Sequence, residues 1–305
     1  MKKMFVAGHN GMVGSAICRA NTKYELLQVP RQYIDLRNQS TVDSYISHHK
    51  PDIVIICAAK VGGIHANNTY PAQFIYDNLM IQSNIINSSF KNGVKRLLFL
   101  GSSCIYPKFA PQPITEDSLL TSSLEPTNEA YSIAKIAGLK MCEYYRKQYG
   151  VMYHSIMPTN LYGINDSYHP ENSHVIPGLI YRFHKAKINK DPVVQIWGSG
   201  TPKREFLFVD DLAKICLDLL ELENPPDWIN AGTDQELSIL ELAQKISKVV
   251  GYEGRIKIGD PQMDGTPRKK LNCDLLKSLI KFEETSLDEG LPICYNDFLN
   301  GRYNI

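Results

Sequence analysis

Apolar and polar positions in the first half of the chain alternate so as to predict a repeating order of strand and helix. The short apolar runs MFVAG, ELLQV, DIVIICAA, KRLLFLGSS and YHSIMPTN predict strands. Segments with helical spacing predict helices near 12–21, 40–48, 71–90 and 128–149. DIVIICAA is continuous and β-branched, as in a parallel strand covered on both faces. The order predicts an α/β fold with a Rossmann-like, doubly wound parallel sheet.

After about residue 164 the pattern becomes less regular and predicts a smaller α+β substrate-binding lobe. A polar loop, INDSYHPENSH, leads into a predicted helix near 175–185, followed by VVQIW, GSGTPKREF and ELSILELAQKISKVV. FLFVDDLAKICLDLL has the pattern of a further strand–helix unit of the sheet, so we expect the lobes to interleave. We assign residues 1–163, with segments near 205–232, to a dinucleotide-binding domain, and most of 164–305 to the second lobe.

Composition narrows the functional classes. The chain has 305 residues, 43% of them hydrophobic and 21% charged, with a formal net charge of +1, which describes a globular protein without a basic field for nucleic acid or a membrane surface. The opening MKKMFVAGHNG has too short an apolar part for a signal peptide. Seven scattered cysteines without a CxxC pair argue against a disulfide framework and a zinc site. We expect a cytoplasmic protein with reduced thiols and no metal.

Three glycines follow the first predicted strand. Gly8, Gly11 and Gly14 form a GxxGxxG pattern between a strand and a helix. Glycine at these points allows a tight turn, close approach of the backbone to a pyrophosphate, and an anion at the helix N-terminus. The same spacing also occurs in ordinary strand–helix turns. The position at the first strand favours a dinucleotide site, which would include Asn10, Met12 and Val13.

The end of the second predicted strand bears on the choice between NAD and NADP. In LLQVPRQYIDL, Arg31 precedes any acidic residue, and an arginine can pair with the 2′-phosphate of NADP. A solvated surface arginine is the alternative. Asp35 and Leu36 would lie near the adenine. After the third strand, small residues permit a cofactor to lie against the backbone at Ala58, Ala59 and Lys60.

A tyrosine and a lysine lie four residues apart in the helix predicted near 128–149. Tyr131 and Lys135 form a YxxxK pattern, which places both side chains on one helix face. The ammonium, with the charge of an oxidised nicotinamide, would lower the pKa of the phenol and fit it for proton exchange with a carbonyl. Ser102, at the end of the fourth strand, could hydrogen-bond the same carbonyl. An isolated YxxxK is more often an ordinary amphipathic pair.

Together these motifs resemble the extended short-chain dehydrogenase/reductase superfamily. The longer strings GSSCIYPK, LEPTNEAYSIAKIAG, MPTNLYG, HPENSHVIP and WGSGTPKREFLFVDDLA resemble the GDP-L-fucose synthase family within it. The resemblance extends from the glycine loop to about Asp211 and, more weakly, to MDGTPRKKLN. It implies an NADP(H)-dependent enzyme that epimerises C3 and C5 of GDP-4-keto-6-deoxy-D-mannose and then reduces the 4-ketone, giving GDP-L-fucose.

The resemblance also implies the roles of individual residues. Cys104 would remove a proton beside the ketone and His174 would return one, while Tyr131, Lys135 and Ser102 would serve the reduction. Further cofactor contacts are implied for Pro158, Thr159, Asn160, Leu161 and His174. Substrate contacts are implied for Ser102, Ser103, Asn160, Arg182, Trp197, Arg204 and Lys269. Without the resemblance, Cys104 would be read as a core thiol and His174 as a solvated loop residue.

One position departs from the family pattern. Asn10 stands where an arginine near the adenosine phosphate is expected, so the 2′-phosphate contact depends more on Arg31. The resemblance also implies a homodimer through the two long helices of the first lobe.

Two other functions remain open. The chain could be a C4-reductase, with or without epimerisation, of a related GDP-4-keto-6-deoxy sugar such as a heptose. It could also be a cofactor-binding redox regulator without catalysis, although Tyr131 and Lys135 are both present.

Overall fold

The computed structural model describes residues 1–170 and 172–302 of the chain. Its main sheet has six strands, which lie side by side in the order β10 (Trp228–Ala231), β5 (Met152–Pro158), β4 (Arg96–Leu100), β3 (Ile53–Ile56), β1 (Lys3–Ala7) and β2 (Glu25–Leu27). All five pairings are parallel. The predicted Rossmann-like sheet is therefore confirmed. Glu171 in HPENSHVIP and residues 303–305 of the predicted second lobe lie outside the described residues.

Helices cover both faces of this sheet. One face carries α1 (Met12–Ala20) and α7 (Val209–Glu221), which pack against each other. The opposite face carries α2 (Gln39–His49), α4 (Pro71–Lys91) and α5 (Glu129–Tyr149), with the short α3 (Ile64–Thr69) before α4. The sheet lies between two helical layers, as a continuous run of apolar strand residues requires.

The alternation of side chains along β1 shows how this core forms. Met4 and Val6 join the cluster that includes α1 and α7, whereas Phe5 and Ala7 join the cluster on the opposite face. All four are at most 1% exposed. Successive side chains of a strand point to opposite faces, so a strand between two helical layers needs apolar residues at every position.

The second lobe is built from short strands and three longer helices around its own apolar cluster. Its elements are β6 (Asn160–Tyr162), α6 (Val175–Asn189), β7 (Val193–Gln195), β8 (Lys203–Arg204), β9 (Phe206–Phe208), β11 (Leu237–Ser238), α8 (Ile239–Val250), β12 (Arg255–Lys257), β13 (Arg268–Lys269), α9 (Asp274–Leu279) and α10 (Leu287–Asp297). The strands form small sheets in the orders β11-β8-β13, β12-β7 and β6-β9.

The segment near 205–232 contributes to both parts of the molecule. The apolar pattern of FLF predicted that β9 would join the main sheet. This prediction is wrong, because β9 pairs with β6 in a separate two-stranded sheet. α7 packs on α1, and Arg19 donates to Asp210 at 2.5 Å. β10 lies beside β5 at the edge of the main sheet. The domain boundary at residue 163 stays a prediction.

Across residues 1–170 and 172–302, no helix combines the length and apolar character needed to cross a membrane.

Candidate active site

The site lies where the parallel strands of the main sheet end at their carboxyl edge. The loops after β1, β3, β4 and β5 emerge together there, because parallel strands share one direction. These loops contain most of the predicted cofactor and catalytic residues.

The glycine loop has the form of a phosphate cradle. Gly8 has φ +90°, and a Cβ there would lie 2.7 Å from the Ala58 nitrogen. A Cβ at Gly14 would lie 2.2 Å from the Gly8 carbonyl oxygen. The Gly11 nitrogen donates to the same oxygen at 3.0 Å, and α1 begins at the next residue with no acidic side chain in its first turn. Met12 and Val13 turn their side chains toward the core, which leaves backbone N–H groups for an anion.

The edge beyond β2 presents positive charge. Arg31 and Asn10 are exposed. Asp35 is held by Arg37, whose Nη2 donates to Asp35 Oδ2 at 2.8 Å and whose hydrogen bonds lower the pKa of that carboxyl to about 2. Arg37 also pairs with Asp77 at 3.2 Å. Arg37 was absent from the predicted set, although its proximity in sequence to Asp35 was a signal for it.

A buried asparagine fixes the loop after β3. Asn78 Oδ1 accepts from the Lys60 nitrogen at 2.9 Å, and Asn78 Nδ2 donates to the Lys60 carbonyl at 3.0 Å. Asn78 is 2% exposed. Ala58 donates its N–H to Ala7 O at 2.8 Å, so Ala58 lies directly against the glycine loop, and Ala59 and Lys60 follow it in the chain.

The loop after β5 is held by the main sheet on one side and by the second lobe on the other. The Thr159 nitrogen donates to Ala231 O at 2.8 Å, and Asn160 Nδ2 donates to Glu205 O at 3.0 Å. Pro158 ends β5, and Leu161 packs on the main core. This anchoring places the predicted segment 158–161 between the two lobes.

Lys135 is buried beneath Tyr131. Its Nζ donates to Leu100 O at 2.7 Å and lies 5.7 Å from the centroid of the Tyr131 ring. Burial lowers the pKa of Lys135 to about 8. Burial, followed by the charge of Cys104, raises the pKa of Tyr131, although a hydrogen bond with Ser102 opposes the rise. In the protein alone the ammonium does not offset desolvation. The predicted lowering of the phenol pKa, which includes the charge of an oxidised nicotinamide, stays a prediction.

Cys104 lies in a 3₁₀ turn directly after β4. Its nitrogen donates to Ser102 Oγ at 3.2 Å, and Lys269 Nζ donates to its sulfur at 3.3 Å. Burial alone would raise the pKa of this thiol, but Lys269, Ser102 and Arg204 lower it overall. Ser103, the preceding residue, is 3% exposed. Ser103, Cys104 and Lys269 line one small pocket.

Cys104 differs from the other six cysteines, all of which lie in the described residues. Burial raises the pKa of each of those six thiols. A thiolate is the reactive form of cysteine, so Cys104 is the cysteine whose surroundings favour the reactive form among the described residues.

His174 lies in the second lobe, immediately before α6. The Gly63 nitrogen donates to Asn172 O at 3.0 Å and so ties this loop to the segment after β3. His174 as a whole residue is exposed to solvent. The surrounding protein nevertheless desolvates its imidazole ring, which lowers the pKa of His174 from 6.5.

The second lobe supplies an aromatic and cationic surface. The Arg182 guanidinium lies 4.9 Å from the centroid of the Trp197 ring, and Trp197 is 50% exposed. Arg182 Nε donates to Gly178 O at 3.2 Å. Arg204 and Lys269 are direct partners of the β8–β13 pair. Lys269, predicted as a substrate contact, is placed on the Cys104 sulfur.

Two carboxylates beside this surface were missed. Asp264 accepts from the Ser199 nitrogen at 2.8 Å and from Ser199 Oγ at 2.6 Å, which ties the Trp197 loop to the segment before β13. Glu205 is fully buried, and burial raises its pKa to about 8. Both lie inside strings already singled out, MDGTPRKKLN and GTPKREF, which was the available signal.

Comparison with known proteins agrees with this geometry. Residues 4–232 match the family model described as the NAD dependent epimerase/dehydratase family. The chain is 54% identical to GDP-L-fucose synthase 1 of Arabidopsis thaliana, with 99% of this chain and 94% of the relative covered. It is 51% identical to GDP-L-fucose synthase of Escherichia coli (strain K12), with 99% and 98% covered. The chain belongs to the GDP-L-fucose synthase family.

A solved structure with a similar fold has a name that refers to a different sugar. The chain resembles the solved structure of MlghC, GDP-mannoheptose C4 reductase from Campylobacter jejuni with NADP bound, at a TM-score of 0.85 and 33% identity, with 98% of each chain covered. This fold therefore also occurs in a C4-reductase. The GDP-L-fucose synthase family is the nearer match by identity.

Proposed function

We propose that this protein converts GDP-4-keto-6-deoxy-D-mannose to GDP-L-fucose by 3,5-epimerisation and NADPH-dependent reduction of the 4-ketone. The proposal rests on the position of Cys104, whose sulfur accepts a hydrogen bond from Lys269 Nζ at 3.3 Å and whose nitrogen donates to Ser102 Oγ at 3.2 Å. These neighbours lower the pKa of the thiol. A reductase alone needs no thiolate at this point. The full-length identity to GDP-L-fucose synthases supports the same substrate.

The glycine loop fits a dinucleotide, because Gly8 and Gly14, where a Cβ would meet the protein's own backbone, let the turn close tightly between β1 and α1. The N-terminus of α1 then lies at the end of β1, where backbone N–H groups can bind a pyrophosphate. Arg31 is exposed at the edge where a 2′-phosphate would lie. When bound, NADPH supplies the hydride for the ketone.

Epimerisation uses one base and one acid. The Cys104 thiolate takes a proton from the carbon beside the ketone, and the electron pair passes into the enolate. His174 returns a proton to the opposite face of that carbon. Because its pKa is lowered, the imidazolium is a minor form at neutral pH, but it gives up its proton readily. The ketone acidifies both C3 and C5, so the same pair acts at each centre.

Reduction uses a different pair. Tyr131 gives its phenolic proton to the C4 oxygen, and Ser102 hydrogen-bonds that oxygen. The raised pKa of Tyr131 suits this direction, because the phenol stays protonated until charge develops on the substrate. The hydrogen bond from Lys135 Nζ to Leu100 O fixes the ammonium group. The ammonium lies near the phenol of Tyr131, so the surroundings of the phenol are not entirely apolar.

The GDP part is assigned to the second lobe. The exposed Trp197 ring offers a stacking surface for guanine, with Arg182 on it. Arg204 faces the cleft and can pair with the diphosphate. Asp264 holds the Trp197 loop in place.

The experiment that tests the substrate compares two ketones. GDP-4-keto-6-deoxy-D-mannose and a GDP-4-keto-6-deoxy heptose are turned over with NADPH, and the products are identified by NMR. We expect faster turnover of the hexose and GDP-L-fucose as its product. A poor rate with the hexose and a good rate with the heptose would contradict this proposal. That result would favour a heptose C4-reductase, the activity in the name of MlghC.

We also propose a homodimer and a cytoplasmic location. Apolar side chains on the outer face of α4 and α5 support the dimer, since Tyr76 is 61%, Ile133 43% and Tyr144 57% exposed. Such side chains on two adjacent long helices suit a contact between helical pairs. The seven free thiols support a reducing compartment.

A further inference from the structure

Lys269 and Cys104 meet in the cleft although 165 residues separate them. Cys104 lies in the turn after β4 and Lys269 lies on β13, in the small sheet of the second lobe. The Lys269 Nζ donates to the Cys104 sulfur at 3.3 Å. The contact therefore exists only when the two lobes are assembled.

The strand pairing sets two cations side by side. Lys269 and Arg204 are direct partners in the parallel pair of β8 and β13, so their side chains leave the same face. Like charges in such positions repel each other unless an anion lies between or beside them. The protein itself supplies one candidate anion, the thiolate of Cys104.

The nearby carboxylates are committed elsewhere. Glu125 pairs with Lys108 at 3.3 Å, Glu236 with Arg268 at 2.7 Å, and Asp264 accepts from Ser199. Within residues 1–170 and 172–302, no carboxylate lies within ion-pair distance of Lys269. Its ammonium is thus directed at sulfur.

We propose that Lys269 is a positioning residue for the epimerisation, which holds Cys104 as a thiolate and leaves the substrate diphosphate to Arg204. The proposal rests on the function proposed above and deepens it. It replaces the expected role of Lys269 as a substrate contact.

The chemistry of two successive epimerisations makes this role useful. Each one transfers a proton from carbon to the Cys104 sulfur and a proton from His174 to carbon. Before the second, the thiol must lose its proton to solvent and the imidazole must gain one, so that protons balance. The Lys269 ammonium favours that loss, because it lies beside the sulfur and stabilises the thiolate.

The first test titrates the thiol without substrate. Alkylation of Cys104 by iodoacetamide is followed against pH by mass spectrometry of its peptide, in the wild type, Lys269→Met, Lys269→Gln, Lys269→Arg and Lys270→Met. Lys270→Met is the matched control, because the Lys270 ammonium donates to Asp234 O and not to sulfur. All proteins are first checked for the wild-type circular dichroism spectrum.

We expect Lys269→Met and Lys269→Gln to raise the apparent pKa of Cys104 by about 1–3 units, and Lys269→Arg to restore most of the shift. Lys270→Met should leave the profile unchanged. A wild-type profile in both neutral variants would overturn the proposal. If only Lys269→Met misfolds, Lys269→Gln gives the decisive profile.

The second test separates the thiolate from diphosphate binding. Lys269→Met should keep a GDP dissociation constant within about threefold of the wild type, whereas Arg204→Met should weaken GDP at least about tenfold. Deuterium exchange at C3 and C5 should fall at least about tenfold in Lys269→Met at neutral pH and recover as the pH rises. A tenfold loss of GDP affinity in Lys269→Met with an unchanged thiol profile would return Lys269 to substrate binding. Since the thiol titration needs no substrate, a failed turnover assay alone counts against the proposed function and not against this inference.

Discussion

Tyr131 shows how the environment of one residue decides the step it can perform. Its phenol is surrounded by protein and lies near Cys104, and both raise its pKa, burial more than the thiol. A phenol in that state donates a proton readily only when negative charge develops next to it. The reduction of a ketone produces such charge on the C4 oxygen.

Replacing Tyr131 by phenylalanine should therefore separate the two reactions. In Tyr131→Phe we expect the rate of NADPH oxidation to fall by about 10²-fold or more, because the proton donor is lost. Deuterium exchange at C3 and C5 of the substrate should continue at a rate close to that of the wild type. Parallel loss of exchange and reduction would show that Tyr131 also serves the epimerisation, contrary to the account.

His154 gives the folded state a dependence on acid. It lies in the middle of β5 with 1% of its surface exposed, and burial, with Arg146 and Arg96, lowers its pKa to about 3. Neither ring nitrogen has a hydrogen-bond partner among the described residues. The unfolded state, with a pKa of about 6.5, binds the proton more readily. The stability from neutral His154 is thus present above about pH 6.5 and is lost as the pH falls toward 3.

Urea unfolding at pH 7 and pH 5 measures this contribution. Between pH 7 and pH 5 the wild type should lose about 2 kcal/mol of unfolding free energy through His154, because the slope rises toward about 1.4 kcal/mol per pH unit below pH 6.5. His154→Leu cannot bind the proton at this position. Its unfolding free energy should therefore fall less than that of the wild type, and the difference should equal the contribution of His154. Equal losses in the two proteins would mean that His154 is not buried in its neutral form.

At the scale of elements, the turn from β1 to α1 depends on glycine for space. A methyl group at Gly14 would lie 2.2 Å from a backbone oxygen, which cannot move without opening the turn. Gly14→Ala should lower the unfolding free energy by about 1–3 kcal/mol and weaken NADPH at least about tenfold. Thermal unfolding and a fluorescence titration with NADPH measure the two effects.

Gly93→Ala is the matched control for that substitution. Gly93 has φ +79°, but a Cβ there would have nothing within 4 Å. We expect a cost of about 1–2 kcal/mol from the left-handed backbone alone and unchanged NADPH affinity. NADPH affinity of wild-type strength in Gly14→Ala would remove the glycine loop from the cofactor site.

The sequence predicted the long and strongly patterned elements of the fold. β1, β3, β4 and β5, with α1, α2, α4 and α5, lie where the apolar runs and helical spacing indicate, because each is buried on a face that its own residues define. The strands of two or three residues in the second lobe have too few positions to show a period. β9 was misplaced for a related reason, since FLF is equally apolar whether it pairs with β6 or with the main sheet.

The site was predictable by residue type but not by contact. GxxGxxG, YxxxK and the string around Cys104 are local, so a reader of the sequence can find them. The Lys269 contact with Cys104 depends on the pairing of β8 with β13, whose register no local pattern sets. For the same reason, the direction of the Tyr131 pKa could not be predicted, since burial emerges only from the packed molecule.

At the scale of the whole molecule, the cleft depends on contacts between the lobes. Asn165 Nδ2 donates to Asn10 O at 2.7 Å, and the Asn165 nitrogen donates to Asp297 Oδ2 at 3.0 Å. These bonds connect the glycine loop to α10 across the chain. Residues from both lobes can therefore contribute to one site. Cys104 and Tyr131 come from the first lobe, and His174 and the positioning residue Lys269 come from the second.

The proposed dimer has a direct test. Ile133→Glu places a charge among the exposed apolar side chains of α4 and α5, where Ile133 itself is 43% exposed. Size exclusion with light scattering should give a dimer for the wild type and a monomer for Ile133→Glu, because a desolvated charge opposes the contact. Leu299→Glu, at an exposed position of the other lobe, is the control and should remain a dimer. A monomeric wild type would contradict the proposal.

In the function proposed above, one site both epimerises and reduces the substrate. NMR of the product formed from GDP-4-keto-6-deoxy-D-mannose and NADPH in D₂O, with the wild type and Cys104→Ala, tests both reactions at once. We expect GDP-L-fucose with deuterium at C3 and C5 from the wild type. From Cys104→Ala we expect a slowly formed C4-reduced product without that label. Unlabelled product from the wild type, or label at both carbons in Cys104→Ala, would contradict the proposed function.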